Sequence, residues 1–556
     1  TVRDSNIGIM FVLFIKGDRT DLQNYRGITI NPNISKLFTR ILENRLMIVV
    51  EANGLLGEFQ GATRKGSHTT DNIFVLSTIL EKARKMKLHK TTIAFVDMRK
   101  AYDMVDREKL WKILSQIGLG GKFLQIVKSM YKDSQFMVDI NGERTKPIYP
   151  TRGLKQGCVL SPVLFALYLN GLGKELQESK LGIEINKTIV SCLFFVDDIC
   201  LIGKDDVSLL TLLYKTQDYT DKYGLEINPK PTKSEILTFD EDIQEWPLRN
   251  CEVTLIANLN QAIKYKYLGI PVTMQGQKIF KFRVKNMIAG ANQYSGRVKS
   301  LAKDSFNRIE VGEAIWENVS IPMLLYGVEC ITMTKAEISK IESSQRGLAK
   351  WLLGHDRNAA GIAAMVELGW SSIEHKYDEK KLQMYTRLKL FVEQKQWVKD
   401  ALIETQIGGW KSDWWEEIQE IQKKVQLEKY LKQIPKEEWS HTRVKAKVKK
   451  AVADYHKSLA KEEINQKSTL KAFPIPSDKM WFKRKEYISN TKITRVISKM
   501  RAGNYGVGNT YKGIKNCQLC GEVNMNHESH IIIKCASLKL IRETTDVTSF
   551  CIKHNS

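Results

Sequence analysis

Two apolar runs that end in carboxylates constrain this chain more than anything else in it. The first is Ala94-Phe95-Val96-Asp97 and the second is Leu193-Phe194-Phe195-Val196-Asp197-Asp198-Ile199. Short runs of aromatic and β-branched residues bounded by polar ones read as buried strands. In the second run apolar residues resume directly after the two aspartates, as at the tip of a hairpin. Ionised carboxylates beside buried strands are costly unless something pairs with them. A divalent metal is one such partner. Mg²⁺ favours one or two carboxylates plus substrate phosphates, and two ions about 3.5–4 Å apart can clamp both reacting oxygens of a phosphoryl transfer. Taken by themselves, Asp197 and Asp198 also fit a plain polar turn, since Asp is a common turn residue.

The surroundings are those of an α/β domain. Over the first 240 residues, strand candidates (91–96, 189–195, 199–202) alternate with amphipathic helix candidates (34–50, 70–86, 107–117, 160–178). Asp106 suits the N-cap of the third helix, whose Leu110, Ile113, Leu114 and Ile117 share a face. From about residue 278 to 353 the helical period takes over, and Gly354 suits a C-cap. Residues 370–470 are helical, charged and tryptophan-bearing, each Trp better read as core than as a stacking platform. After Pro474 and Pro476 the character changes toward a small Cys/His-bearing end.

Composition narrows the class. At roughly 100–200 residues per domain, 556 residues suggest three or four domains, and 43% hydrophobic content excludes a disordered or fibrous chain. The longest apolar stretch, 189–202, is too short to span a bilayer and carries two aspartates. The chain opens on Thr with no signal-peptide pattern, so it reads as a piece of a longer reading frame with an upstream domain expected. Nine cysteines, an odd number, do not make a disulfide framework and favour a reducing compartment. The net charge of +24 attracts polyanions, nucleic acid first among them. More than half of it lies in 431–516, with twenty-one Lys/Arg against seven Asp/Glu. There Arg443, Lys445, Lys447, Lys449 and Lys450 cluster, and Lys483-Arg484-Lys485 follows Trp481-Phe482. Phosphate contacts with aromatic stacking hold nucleic acid without reading bases. Gly61 and Gly66 have phosphate-loop spacing, but Ser67-His68 follow where Lys-Ser/Thr is needed, so no P-loop is present.

An ordered string of segments resembles the reverse transcriptases of non-LTR (LINE-type) retrotransposons. Asn24-Tyr25-Arg26-Gly27-Ile28 resembles the family's N-terminal motif, 60–71 its fingers motif and 97–105 its first catalytic motif. Gly153 through Pro162 (GLKQGCVLSP) resembles the template-and-nucleotide motif, and Phe195-Val196-Asp197-Asp198 the aromatic–small–Asp–Asp motif. Gly224-Leu225-Glu226-Ile227-Asn228 and Lys266-Tyr267-Leu268-Gly269 resemble the two that follow.

The resemblance implies an α/β (α+β) right-hand polymerase. Fingers and a palm with an antiparallel sheet would occupy 1–240, and the next motif with a helical thumb 241–355. A basic helical region would follow at 356–500, and a small zinc knuckle at 501–556. It implies an RNA-directed DNA polymerase that adds dNTPs to a DNA 3′ end on element RNA, primed by nicked target DNA in the nucleus. Asp97 and Asp197 would hold two Mg²⁺ ions, with Mn²⁺ able to stand in and Asp198 auxiliary. Arg64 and Lys65 would meet the triphosphate, Tyr102 would exclude a 2′-hydroxyl, and Gln156 and Gly157 would approach the template–nucleotide pair. An ordinary core aromatic is the other reading of Tyr102.

Cys517, Cys520, His530 and Cys535 would form a structural Zn²⁺ site, with His527 the rival ligand. Thr63 stands where the family usually has Phe, Ser67 where Arg is common, Val159 where Pro is frequent, and Pro231 where a Lys is usual. Lys233 or Lys230 would substitute for that Lys. An endonuclease would lie upstream or downstream. A scaffold that binds nucleic acid but no longer polymerises is the alternative from another class, and an intron-encoded reverse transcriptase is the closer enzymatic rival.

Overall fold

The computed structural model describes residues 7–14, 18–21, 25–64, 66–132, 134–230, 232–239, 245–249, 255–305, 307–391, 395–434, 440–467 and Ser498. They fall into two compact units. One holds the described residues up to Asn286 with Tyr326–Met333 and Asp378–Lys449; the other holds Met287–Leu325, Thr334–Tyr377 and the described residues from Lys450 on.

The first unit is organised by a six-stranded sheet, in the order Glu245–Arg249, Leu255–Gln261, Glu235–Thr238, Thr92–Val96, Asp198–Gly203, Cys192–Phe195. All five residues of Thr92–Val96 are buried, which suits a run whose Ile, Ala, Phe and Val do not alternate with polar residues. It pairs antiparallel on both sides, Val96 opposite Ile199 and Phe95 opposite Glu235. The expected antiparallel sheet is therefore present at its centre, while Leu255–Gln261 lies parallel to Glu235–Thr238. Helices Thr69–Lys85, Ser161–Glu178 and Asp206–Tyr223 pack against these strands. A second sheet orders Tyr25–Ile30, Ile7–Phe14, Gln135–Ile140 and Glu143–Arg144.

Local signals set the helix ends. The Asp106 carboxylate accepts the Lys109 N–H at 3.1 Å and starts Arg107–Gln116. Gly354 at φ +68° ends Lys335–Leu353, where a side chain would be strained. Helices Gln396–Ile407 and Asp413–Lys424 lie within the first unit, and Trp397, Trp410 and Trp414 are buried as core. Trp414 lies 4.7 Å from Phe74 between ring centroids and donates from Nε1 to the Glu329 carbonyl. In the second unit, Trp316 donates to Gln345 Oε1 at 3.1 Å and stacks near Trp370. Among the described residues no helix is long and apolar enough to cross a membrane.

Candidate active site

Asp97 follows the last residue of the central strand, and the hairpin joining Cys192–Phe195 to Asp198–Gly203 turns at Val196 and Asp197, with Phe195 opposite Asp198. The register pair Val96–Ile199 brings Asp97 alongside Asp198. The electrostatics agree. Burial, then the negative charges of Asp197 and Asp97, push the Asp198 carboxyl up to about 6, and Lys233 opposes them. Among the described residues, however, no group of three His, Cys, Asp or Glu side chains is drawn close enough to hold a metal ion.

Asp97 is held by a frame that sequence reading did not assign. Its N–H donates to Ser234 Oγ at 3.0 Å, its carbonyl accepts the Asn228 N–H at 2.9 Å, and its Oδ2 accepts Asn228 Nδ2 at 3.1 Å. Lys233 Nζ lies 3.4 Å from both carboxylate oxygens. Asn228 ends the GLEIN segment, which bridges 97–99 through Met98–Ile227 and Arg99 N–H to the Glu226 carbonyl. Its place in an ordered motif was the signal that could have nominated it. Tyr265 was also unassigned. It stacks on Phe95 at 4.2 Å and 6°, donates to the Lys233 carbonyl, and its hydroxyl is pushed up by burial and then by Asp198 and Asp97.

Tyr102 stacks on Phe165 at 5.0 Å and 16°, and burial followed by the Asp197 charge raises its hydroxyl. It is thus both packed and within the field of the carboxylates. Gln156 Nε2 donates to Asp103 Oδ1 at 2.9 Å, and the Gln156 carbonyl accepts Asn31 Nδ2 at 3.3 Å. Gly157 has φ +77°, and a Cβ there would sit 2.3 Å from the Thr29 carbonyl oxygen, so only glycine fits. Its close approach is to this neighbouring strand.

Arg64 turns back onto the end of helix Asn33–Ala52. Its Nε and Nη2 donate to Glu51 Oε1 and Oε2 at 3.0 and 2.9 Å. In the same loop Gln60 Nε2, Thr63 Oγ1, Arg64 Nη1 and Ser67 Oγ are buried without a partner among the described residues, and Thr63 has φ +63°. Lys65 lies outside the described residues, as do Cys517, Cys520, His530 and Cys535, Trp481, and Lys483 to Lys485. Of the basic cluster, Arg443, Lys445, Lys447, Lys449 and Lys450 are exposed on helix His441–Asn465, whose Val444, Val448 and Val452 are buried.

The strands thus bring three carboxylates to one end of a mixed α/β sheet. Residues 16–272 match the family described as reverse transcriptase (RNA-dependent DNA polymerase). The Pol polyprotein of the type-1 retrotransposable element R2 of Nasonia vitripennis is 27% identical over 274 residues, 48% of this chain and 26% of that protein. That of the element R2DM of Drosophila melanogaster is 28% identical over 217 residues, 37% of this chain and 20% of that one. The RNA-directed DNA polymerase of the mobile element jockey of Drosophila funebris is 24% identical over 257 residues, 45% of this chain and 27% of that one. Among solved structures, apo telomerase from Candida tropicalis aligns at a TM-score of 0.37 and 12% identity over 71% of this chain and 69% of that one. Over residues 16–272 the chain is thus similar to the reverse transcriptases of non-LTR retrotransposons. It spans about a quarter of the length of the R2 and jockey relatives it matches.

Proposed function

We propose that the chain is an RNA-directed DNA polymerase that extends a DNA 3′ end on element RNA with dNTPs. The observation that carries this is the strand register that sets Asp97 alongside Asp198 at the hairpin bearing Asp197, where both neighbouring charges act on Asp198 and Lys233 opposes them. The donor chemistry fits Mg²⁺, a hard ion that takes carboxylate oxygens and whose charge would relieve that repulsion. Asp97 and Asp197 would hold a pair of ions, with Asp198 beside them. Bound there, the ions supply neutralisation of charge on the attacking and leaving oxygens.

The rest is positioning by the chain's own groups. Asn228 and Ser234 fix Asp97 from both its backbone and its side chain. Tyr102, held flat on Phe165, would close the floor beneath the sugar and select against a 2′-hydroxyl. The Gln156 amide, oriented by Asp103, would face the template–nucleotide pair. Arg64 and the unpartnered hydroxyls of Thr63 and Ser67 supply donors suited to triphosphate oxygens. Lys233 would neutralise charge near the leaving pyrophosphate.

In this reading 1–240 carries fingers and palm, the six-stranded sheet with Asp97 being the palm, and 241–355 carries the next motif and a helical thumb. The lysines of helix His441–Asn465 and a knuckle of Cys517, Cys520, His530 and Cys535 would grip RNA or target DNA. A nicked chromosomal primer would place the work in the nucleus.

Primer extension on poly(rA)/oligo(dT) with Mg²⁺ or Mn²⁺ tests this. Incorporation is expected, and both Asp97→Ala and Asp197→Ala should abolish it while leaving the fold. No incorporation alongside retained RNA binding would instead favour an inactive binding scaffold.

A further inference from the structure

The hairpin that carries Asp197 contains a strained residue. Val196 has φ +60°, a region that β-branched side chains avoid. It is the first central residue of a two-residue connection, where glycine is the usual choice when φ is positive. Something must hold it there.

The holder comes from a remote segment. Residues 59–61 run alongside the hairpin's first strand. The Phe194 N–H donates to the Phe59 carbonyl at 2.7 Å, and the Gly61 N–H donates to the Phe194 carbonyl at 2.8 Å. Asn72 Nδ2 donates to that same carbonyl at 3.0 Å. Gln60 bridges to Phe194 in parallel register and is 1% exposed. Its Oε1 accepts the Val196 N–H at 2.9 Å and the Ala62 N–H at 3.2 Å. One buried amide oxygen therefore ties the strained residue, one position before Asp197, to the loop that also carries Arg64.

We propose that Gln60 is a positioning residue: its side-chain oxygen fixes the backbone of Val196 and thereby the place of the Asp197 carboxylate. The inference rests on the polymerase reading for its kinetic consequence, but not for the brace itself. Val196 is half-buried, so once Gln60 cannot accept its N–H the hairpin would leave the left-handed conformation to give that N–H another partner.

Gln60→Met keeps length and volume and deletes the acceptor. Hydrogen exchange comes first, since it needs no activity. In the unaltered protein the Val196 amide should exchange slowly, and in Gln60→Met peptides covering 192–203 should exchange about tenfold faster or more. Single-nucleotide insertion comes second. The variant's kcat should fall about ten- to a hundredfold, with KM for dNTP and affinity for primer–template within about twofold. Third, Val196→Gly removes the strain, so the Gln60→Met defect should shrink to about threefold or less in that background.

A Val196 amide that exchanges at loop rates in the unaltered protein overturns the brace, even if Gln60→Met fails to fold. Faster exchange with unchanged kcat overturns the positioning role. Equal kcat losses in both Val196 backgrounds would make Gln60 a packing residue. A chain without polymerase activity but with a slow Val196 amide that Gln60→Met releases would leave the brace intact and count against the polymerase reading alone.

Discussion

If Arg64 meets the incoming triphosphate, Glu51 is its competitor. The guanidinium makes two near-parallel bonds to Glu51, the geometry that carboxylate and phosphate both satisfy. A nucleotide must displace Glu51 from Arg64 or bind without it. The pair is neither fully buried nor free, with Arg64 10% and Glu51 28% exposed. Exposed pairs are worth up to about 1 kcal/mol and charged hydrogen bonds about 1.5–3 kcal/mol. Discounted for the solvent at Glu51, the pair withholds about 1–2 kcal/mol, or roughly 5- to 30-fold in nucleotide affinity at about 1.4 kcal/mol per tenfold. Glu51→Gln keeps the shape and removes the charge. In single-turnover insertion, which separates binding from chemistry, the dNTP Kd should drop by about that factor with the chemical rate unchanged. In an Arg64→Met background, Glu51→Gln should have no effect. A Kd that rises in Glu51→Gln would refute the reasoning, because it would mean that Glu51 aims Arg64 instead of competing for it.

Three other perturbations have defined outcomes. Asp71 is 1% exposed and holds Arg387 and Lys395, so Asp71→Asn should cost about 3–5 kcal/mol by leaving two largely shielded cations without their buried partner; a loss under about 1 kcal/mol in denaturant unfolding would contradict this. Burial pushes the Asp71 carboxyl up, but the two cations more than offset it and hold it below 3.8, so its stabilisation is full above that pH and fades as pH falls through the lower folded value. The variant should lack that acid limb. Tyr102→Ala should admit ribonucleotides in primer extension, and unchanged sugar selectivity would reduce Tyr102 to a packing partner of Phe165. Cys517→Ser should release one zinc per chain by native mass spectrometry, and unchanged stoichiometry would remove the knuckle.

What was legible in the sequence is what local physics dictates. An apolar run that stops at Asp97, or breaks for Asp197 and Asp198, has few stable solutions, and the register that brings Asp97 alongside Asp198 follows from ordinary strand pairing. Caps at Asp106 and Gly354 were legible for the same reason. Pairings between distant side chains were not. Nothing near Asp97 in sequence announces that Asn228 and Ser234 hold it, 131 and 137 positions away. No periodicity reveals that Arg64 faces Glu51.

Composition does not show which charges of the helices after residue 370 face inward: Lys381 and Asp400 are fully buried and Glu404 nearly so. Lys381 pairs with Glu417, Asp400 accepts from Asn186 and Thr188, and Glu404 meets Lys82 at 3.0 Å. The two ion pairs cancel within the protein and add little to the field outside. Part of the net +24 is displayed by Arg443, Lys445, Lys449 and Lys450, exposed around a helix whose valines are buried. A charge that survives on one helix surface, not a uniformly basic exterior, is what gives a phosphate backbone a track to follow.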